Sequence, residues 1–398
     1  MYFSYGSYSQ KNLCGITRSG RPRSSPRRCA ANLYGITRGQ SLAATIFFIY
    51  IVLLLFFIWS IWSFLGMSDG FICLAEIAIG LGFQMVGVAA AERAKTFGFF
   101  ESWLDDGRNA GMDYLVRHRV ARGNPECLLK GVRSIIMFGV SFERVLTSTS
   151  HGIANVKGIA CYARGVDYHI WIKERLKSVV ELHKKLYPNA NCRSVVDTAP
   201  LLERQYAVDA GLGQIGKNTM LITPQFGSNV FLAALLSTEP LHPAKPIFEP
   251  QKSAHNTHKL DSCQNIDGKN SFCTNNKNDV RQVGDVINSA GGLSLICGDC
   301  RRCIDACPSG GLVEPFVLDA RFCLSYWTIE YWGDLSEAVR AKLGGRFFGC
   351  DICSSVCPYN STIPLPTPQV DPNTLDIETL KILAKGTPLE RLVSRYNR

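Results

Sequence analysis

The run Cys297-Gly-Asp-Cys-Arg-Arg-Cys-Ile-Asp-Ala-Cys-Pro308 spaces its cysteines as C-x2-C-x2-C-x3-C-P, and a second run, Cys350-Asp-Ile-Cys-Ser-Ser-Val-Cys-Pro358, spaces them as C-x2-C-x3-C-P. The first spacing is typical of bacterial ferredoxins. The second run lacks one cysteine, which Cys323, lying between the two runs, can supply. Together these cysteines predict two [4Fe–4S] clusters with four ligands each.

The ferredoxin spacing also predicts which cysteines share a cluster. In ferredoxins of this type the last cysteine of a run binds the other cluster. One cluster is therefore predicted to bind Cys297, Cys300, Cys303 and Cys357, and the other to bind Cys307, Cys323, Cys350 and Cys353. Zinc is the alternative, because structural zinc sites also use cysteine pairs two residues apart. Zinc does not require a third cysteine at that spacing followed by Cys-Pro, so the pattern favours iron and sulfide.

Composition limits the kind of protein that carries these runs. The chain has 398 residues, enough for one large domain or two to three smaller ones. Its formal net charge is +10, but residues 1–66 contain only basic charges and contribute +7, so the charge does not indicate a basic nucleic-acid face on the folded body. Clustered cysteines that bind metal as thiolates favour a reducing compartment, and we expect a cytoplasmic protein.

The sequence divides into five segments. They are a basic segment with a hydrophobic span (1–66), predicted to be disordered in its first part, a layered α/β (α+β) domain (67–242), a low-complexity insertion (243–292), a ferredoxin-like two-cluster domain (293–360) and a tail with a basic helix (361–398). A span at 43–66 is long enough to cross a bilayer, but the basic residues before it would place the body outside the cytoplasm, where the cysteines would oxidise. A twin-arginine signal at Arg27-Arg28 and a natural start at Met67 remain alternatives.

Within 67–242, hydrophobic periodicity predicts helices over 71–82, 167–187 and 202–210 and strands over 85–88, 134–140 and 193–196. Residues 229–236 are an apolar strand or helix. The alternation of these elements favours a layered α/β fold. Gly211-x-Gly213-x-x-Gly216 follows a predicted helix rather than a strand, so it is a weak dinucleotide-binding fingerprint.

Asp197 is the strongest candidate for acid–base chemistry. It directly follows the predicted strand, at the position where α/β folds present reactive side chains. A half-buried carboxyl group there can hold a proton at neutral pH and act as a general acid. The alternative is an N-cap for the helix that starts near Leu202. Asp167-Tyr-His169 resembles the start of the D-x-H-x-x-G corrinoid motif, but Ile172 replaces its glycine, so His169 is interpreted as an ordinary helix residue rather than a cobalt ligand.

Six blocks of the sequence resemble the epoxyqueuosine reductase family. In chain order they are Gly111–His118, Tyr162–His169, Val196-Asp-Thr-Ala-Pro-Leu-Leu-Glu-Arg204, Ala210-Gly-Leu-Gly-Gln-Ile-Gly-Lys-Asn-Thr219, Asp319–Glu330 and Gly349–Pro358. The resemblance runs from about residue 68 to 398, interrupted by the insertion. It departs from the family in residues 1–66, in the insertion, at Gln214 where a tryptophan is usual, and in a short C-terminus.

This resemblance implies a cobalamin-binding catalytic domain over 67–242 without the D-x-H-x-x-G motif. It implies an oxidoreductase that reduces epoxyqueuosine to queuosine at the wobble position of tRNA, with electrons passing from an external low-potential donor through the clusters to cobalamin. It also implies a monomer. Asp197 stands at the family's general-acid position. The positions expected to contact cobalamin are Arg117, Ala160, Asp197, Leu221, Ser325 and Asp351.

Two other functions are compatible with part of the pattern. A reductive dehalogenase also combines cobalamin with two clusters and would explain a twin-arginine signal, but the blocks around Asp197 and Cys323 are closer to epoxyqueuosine reductase. A membrane-tethered ferredoxin would explain the cysteines but not the preceding domain.

Overall fold

The computed structural model describes residues 69–147, 156–242, 245–250 and 295–360, with isolated positions between 368 and 390. The segment 1–66, most of the 243–292 insertion and most of the tail lie outside these residues, and so does the hydrophobic span predicted at 43–66. No helix within the described residues is both long enough and apolar enough to cross a membrane.

The described residues contain strands and helices in alternation. The strands are β1 (Met85–Ala90), β2 (Ser134–Ser141), β3 (Cys192–Val196), β4 (Gln214–Ile215), β5 (Leu221–Ile222), β6 (Val230–Ser237), β7 (Ile247–Phe248), β8 (Leu312–Glu314) and β9 (Val317–Leu318). The helices are α1 (Asp69–Gly80), α2 (Phe97–Asp105), α3 (Asp113–Arg117), α4 (Arg119–Gly123), α5 (Phe142–Thr147), α6 (Tyr168–Leu186), α7 (Glu203–Asp209), α8 (Arg302–Asp305), α9 (Glu337–Leu343) and α10 (Ile352–Ser355). A π-helical turn covers Tyr326–Glu330, and 3-10 turns cover Pro125–Cys127, Cys161–Ala163, Leu295–Cys297 and Pro358–Asn360.

Five strands form the central sheet, in the order β3-β6-β2-β1-β7, and every neighbouring pair is antiparallel. The three predicted helices and three predicted strands are confirmed, and the ambiguous run 229–236 is strand β6. β7 is a difference from the prediction, because it lies inside the segment interpreted as a structureless insertion. Two apolar residues are too few to produce a periodic signal, but they satisfy the open hydrogen-bonding edge of β1.

Both faces of the sheet are covered, which explains why β2 and β6 are buried at every position. Ile136 and Phe138 of β2 face a cluster that includes residues of α1 and α6, whereas Ile135 and Met137 face a cluster that includes residues of α7. Successive side chains of a strand point to opposite faces, so a strand between two helical layers must be apolar throughout.

Residues 295–360 form the cysteine-rich body. Helices α8 and α10 and the hairpin β8–β9 lie close together there. Three apolar residues of this body, Leu312, Leu318 and Tyr326, pack against Trp103 and Met112 of the preceding α/β domain. The indole Nε1 of Trp103 donates a hydrogen bond to the backbone oxygen of Leu318 at 2.5 Å. This apolar contact holds the cysteine-rich body against α2 and the segment before α3.

Gly87 tests how closely α7 packs on the sheet. A Cβ atom at Gly87 would lie 2.3 Å from the carbonyl oxygen of Ala210, which is backbone and cannot rotate away. We expect Gly87→Ala to lower the free energy of unfolding by about 1–3 kcal/mol, measured by urea denaturation. Gly98→Ala is the matched control, because Gly98 lies in α2 with no atom within 4 Å of the added methyl group and should gain up to about 1 kcal/mol. An unchanged free energy of unfolding in Gly87→Ala would contradict the close packing of the end of α7 on β1.

Candidate active site

Asp197 follows the last residue of β3 and lies between two donors from the first turn of α6. One carboxylate oxygen accepts a hydrogen bond from the hydroxyl of Tyr168, and the other lies 2.7 Å from His169 Nε2. The Asp197 side chain is 9% exposed. A carboxylate with so little access to water and two specific partners is held in one orientation.

Asp167 explains why His169 points at Asp197. Asp167 caps α6 by accepting a hydrogen bond from the backbone N–H of His169 at 2.9 Å, and the same oxygen lies 2.7 Å from His169 Nδ1. The ring of Tyr168 stacks against Phe231 of β6, with centroids 4.2 Å apart and an interplanar angle of 12°. The cap and the stacking therefore fix both partners of Asp197 before any ligand binds.

The charge of this network is concentrated on His169. Burial alone would lower the pKa of the imidazole, but the Asp197 carboxylate and hydrogen bonds with Asp167 and Asp197 outweigh burial and raise that pKa to about 9. His169 therefore carries a proton at neutral pH and shares it with Asp197 across their 2.7 Å contact. The Asp197–His169 pair therefore holds one shared proton next to the Asp197 carboxylate.

Two interpretations from the sequence are wrong. Asp197 is not an N-cap, because the cap residue of α7 is Leu202, which makes no side-chain cap bond. His169 is not an ordinary helix residue, because its two ring nitrogens contact Asp167 and Asp197. That His169 is not a cobalt ligand stays a prediction. The pair Asp167 and His169 at a helix start was the available signal, but its partner lies 28 residues further on, across a fold that the local pattern does not reveal.

A cavity of about 30 Å³ opens beside Asp197. Its wall is mostly apolar, with Asp197, Tyr168, Glu203 and Arg204 as ionisable groups; it is completed by Met220, Leu221, Ser228, Val230, Phe231 and Leu232. Glu203, in the first turn of α7, is a site residue that the sequence analysis missed. Burial and the neighbouring Asp197 carboxylate raise the pKa of Glu203, although Arg204 and Arg122 act in the opposite direction.

The eight predicted cluster ligands separate into two sets in the structure. Cys297, Cys300, Cys303 and Cys357 line one cavity, and Cys307, Cys323, Cys350 and Cys353 line another. Within the described ranges no three His, Cys, Asp or Glu side chains converge on the position of a single metal ion. Each set of four instead surrounds a cavity, as the separate corners of a four-iron cluster require.

The turn between β4 and β5 lies between these two cavities. Lys217 donates from Nζ to the carbonyl oxygens of Gly298 at 2.5 Å and Cys300 at 3.0 Å. Asn218 lines both cavities, and its side-chain amide donates to the carbonyl oxygen of Cys353 at 3.4 Å. The β4–β5 turn therefore contacts the backbone of both cysteine runs.

Of the other predicted cofactor contacts, Leu221 and Ser325 line these cavities, whereas Arg117, Ala160 and Asp351 are not among the residues that line them. Leu221 is buried and lines the Asp197 cavity, and Ser325 lines the second cysteine cavity. Ala160 is buried, and the backbone N–H of the next residue donates to Asp351 Oδ2 at 2.9 Å, so these two positions lie together. Arg117 is exposed at the end of α3.

Comparison with known proteins places these features in a family. Residues 122–198 match the family model "Epoxyqueuosine reductase QueG, DUF1730", and residues 296–360 match "4Fe-4S double cluster binding domain". Over 293 residues the chain is 32% identical to the epoxyqueuosine reductase of Pseudomonas aeruginosa, covering 73% of this chain and 68% of that protein. The corresponding enzyme of Prochlorococcus marinus is 32% identical over 77% of this chain and 84% of its own. The chain belongs to the epoxyqueuosine reductase family.

Other epoxyqueuosine reductases extend the comparison. The Escherichia coli enzyme is 31% identical, and the match spans 74% of this chain but only 66% of that protein. A crystal structure of epoxyqueuosine reductase with an epoxyqueuosine-modified tRNA-Tyr stem loop has a TM-score of 0.57 and 25% identity, over 79% of this chain and 75% of that one. The family resemblance drawn from the six sequence blocks is confirmed.

The raised pKa of His169 makes a prediction about stability. The imidazole binds its proton more tightly in the folded state than in the unfolded state, where its pKa is near 6.5. The stabilisation is therefore fully present below about pH 6.5 and is lost as the pH rises through about 9. We expect His169→Gln to lower the free energy of unfolding by about 2–3 kcal/mol at pH 6 and by far less at pH 9.5.

Urea denaturation at several pH values measures this difference. His118→Gln is the control, because His118 is exposed and its replacement should change the free energy of unfolding little. A His169→Gln deficit that stays constant from pH 6 to pH 9.5 would mean that the imidazole is not charged in the folded protein.

Proposed function

We propose that this chain is a cobalamin-dependent iron–sulfur oxidoreductase that reduces epoxyqueuosine to queuosine in tRNA. The observation that carries this proposal is the position of Asp197, which lines a cavity and contacts the proton-bearing His169. Family membership supports the choice of substrate. The reaction converts an epoxide to an alkene, so it requires an acid beside the epoxide oxygen and a source of electrons.

The two cysteine sets are proposed as the ligands of two [4Fe–4S] clusters. Cys297, Cys300, Cys303 and Cys357 would hold one cluster, and Cys307, Cys323, Cys350 and Cys353 the other. Ser325 lines the second cavity, so the second cluster would lie nearer the proposed cobalamin contacts. An external low-potential donor would then deliver electrons at the first cluster, where Cys300 is exposed.

Cobalamin fits the chemistry of the residues around the Asp197 cavity. Its apolar wall suits an apolar ring system, and His169, whose two ring nitrogens contact Asp167 and Asp197, would not be among the residues that hold the cofactor. The residues proposed to hold it are Arg117, Ala160, Asp197, Leu221, Ser325 and Asp351. When bound, cobalamin would supply a low-valent cobalt nucleophile for the epoxide carbon.

The protein's own contribution is proton delivery and shielding from water. Asp197 would protonate the epoxide oxygen, where negative charge develops as the ring opens. Tyr168 holds the carboxyl group in place, and the one proton that Asp197 would deliver is the proton it shares with His169 across the 2.7 Å contact. Because Asp197 is only 9% exposed, the proton reaches the epoxide without passing through bulk water.

The tRNA partner requires only local positive charge. Arg340 and Lys342 on α9 and Arg301 and Arg302 beside α8 are exposed, and Arg346 follows α9. Such side chains can contact phosphates, while the modified nucleotide leaves its stack to enter the cavity. A monomeric, cytoplasmic enzyme remains the expectation from the sequence.

Replacement of Asp197 tests the proposed reaction. In anaerobically reconstituted protein with a tRNA stem loop carrying epoxyqueuosine, we expect Asp197→Asn to reduce conversion by about 10²- to 10⁴-fold, because the amide cannot donate the proton. Nucleoside mass spectrometry measures the product, and the visible spectrum measures bound cobalamin and clusters, which should be unchanged.

Asp209→Asn is the matched control. Asp209 forms an ion pair with Lys95 at 2.7 Å, away from the cavity, and its loss should leave conversion unchanged. Wild-type protein that binds its cofactors but leaves epoxyqueuosine intact would refute the proposed function.

The assignment of cysteines to clusters is tested with paired serine substitutions. Cys297 and Cys357 are proposed to hold the same cluster, so the double variant Cys297→Ser/Cys357→Ser should retain about four of about eight irons. Cys307→Ser/Cys357→Ser removes a ligand from each cluster and should retain almost none. Iron analysis and electron paramagnetic resonance distinguish the two results, with the exposed Cys127→Ser as control. Equal iron in both double variants would contradict the assignment.

A further inference from the structure

We infer that Glu203 is a second proton donor of this reaction and delivers its proton into the cavity that Asp197 lines. The inference rests on the proposed function, since it concerns the protons that the epoxide consumes. Opening the epoxide breaks one carbon–oxygen bond and leaves a hydroxyl group. Forming the alkene breaks the second, and the oxygen leaves as water.

The balance of this conversion requires two electrons and two protons. The electrons come from the external low-potential one-electron donor. The first proton goes to the epoxide oxygen and the second to the departing hydroxyl group, because hydroxide is a poor leaving group and water a good one. Asp197 and His169 share one proton, so the second proton needs another source close to the same oxygen.

The position of Glu203 meets this requirement. It lies in the first turn of α7 and lines the cavity together with Asp197 and Tyr168. Its carboxyl group has no hydrogen bond or ion pair to any residue in the part of the chain that the structure describes. Charges of neighbouring residues act on this carboxyl group, but because none of them forms a hydrogen bond or ion pair with it, its oxygens are available to a ligand in the cavity.

The charges around Glu203 leave it able to hold a proton. Arg204 donates from its guanidinium to the carbonyl oxygen of Thr219 at 2.6 Å, and Arg122 is buried but forms no salt bridge among the described residues. Burial and the Asp197 carboxylate raise the pKa of Glu203 more than Arg204, Arg122 and His169 lower it. The group is therefore protonated at neutral pH, as a general acid must be.

Three substitutions at Glu203 separate proton donation from other roles. In the reconstituted enzyme with the epoxyqueuosine stem loop, we expect Glu203→Gln to lower kcat by about 10²-fold or more with KM unchanged, because the amide keeps the shape but cannot protonate the hydroxyl group. Glu203→Asp, which keeps the acid, should lose less. Formate added to Glu203→Ala should restore turnover, whereas chloride at the same ionic strength should not.

Glu330→Gln is the matched control. Glu330 is another carboxyl group whose pKa is raised by burial, to about 7, but it accepts its hydrogen bond from Tyr114 and lies outside the cavity wall. This variant should keep wild-type kcat. As a readout independent of turnover, infrared spectra of the protein at pH 7 should lose a protonated-carboxyl band in Glu203→Gln.

The outcomes separate this inference from the proposed function. A wild-type enzyme that converts epoxyqueuosine while Glu203→Gln keeps full kcat would overturn the inference alone. A rise in KM at unchanged kcat would also overturn it, since Glu203 would then bind the nucleotide rather than protonate it. A wild-type enzyme with bound cofactors and no conversion would overturn the proposed function.

Discussion

The hydrogen bonds between Asp197 and the first turn of α6 set the geometry on which the rest of the site depends. β3 and α6 are separate elements, and Tyr168 and His169 are the residues that connect their ends. Because Asp167 caps the helix and orients the imidazole at the same time, the first turn of the helix and the His169–Asp197 contact form together. A change that moved α6 along the sheet would separate the Asp197 carboxylate from Tyr168 and His169.

Close backbone contacts also hold the cysteine-rich body beside the α/β domain. Gly349 has a positive φ of 72°, and a Cβ atom there would lie 2.7 Å from that of Ala160. Only glycine therefore allows the start of the second cysteine run to approach the residues before Cys161. Together with the turn at Lys217 and Asn218, this contact fixes both cysteine runs relative to the sheet.

The sequence predicted those features of the molecule that depend only on residues close together along the chain. Cysteine spacing predicted two sets of ligands, and periodicity placed the strand that ends before Asp197. The role of His169 and the position of Glu203 were missed, because each depends on elements brought together only by the antiparallel order of the sheet. A histidine in a helix and a glutamate in a helix have no local signature that separates them from solvated residues.

The departure from the D-x-H-x-x-G motif then has a physical reason. Asp167 and His169 occupy the first positions of that pattern, but at the position of its glycine the chain has Ile172, which is fully buried in the core between α6 and the sheet. A histidine whose two nitrogens contact Asp167 and Asp197 is also unable to bind cobalt without breaking the network. The start of α6 is thus committed to the contacts that hold Asp197, and Ile172, one turn further on, anchors the same helix in the core.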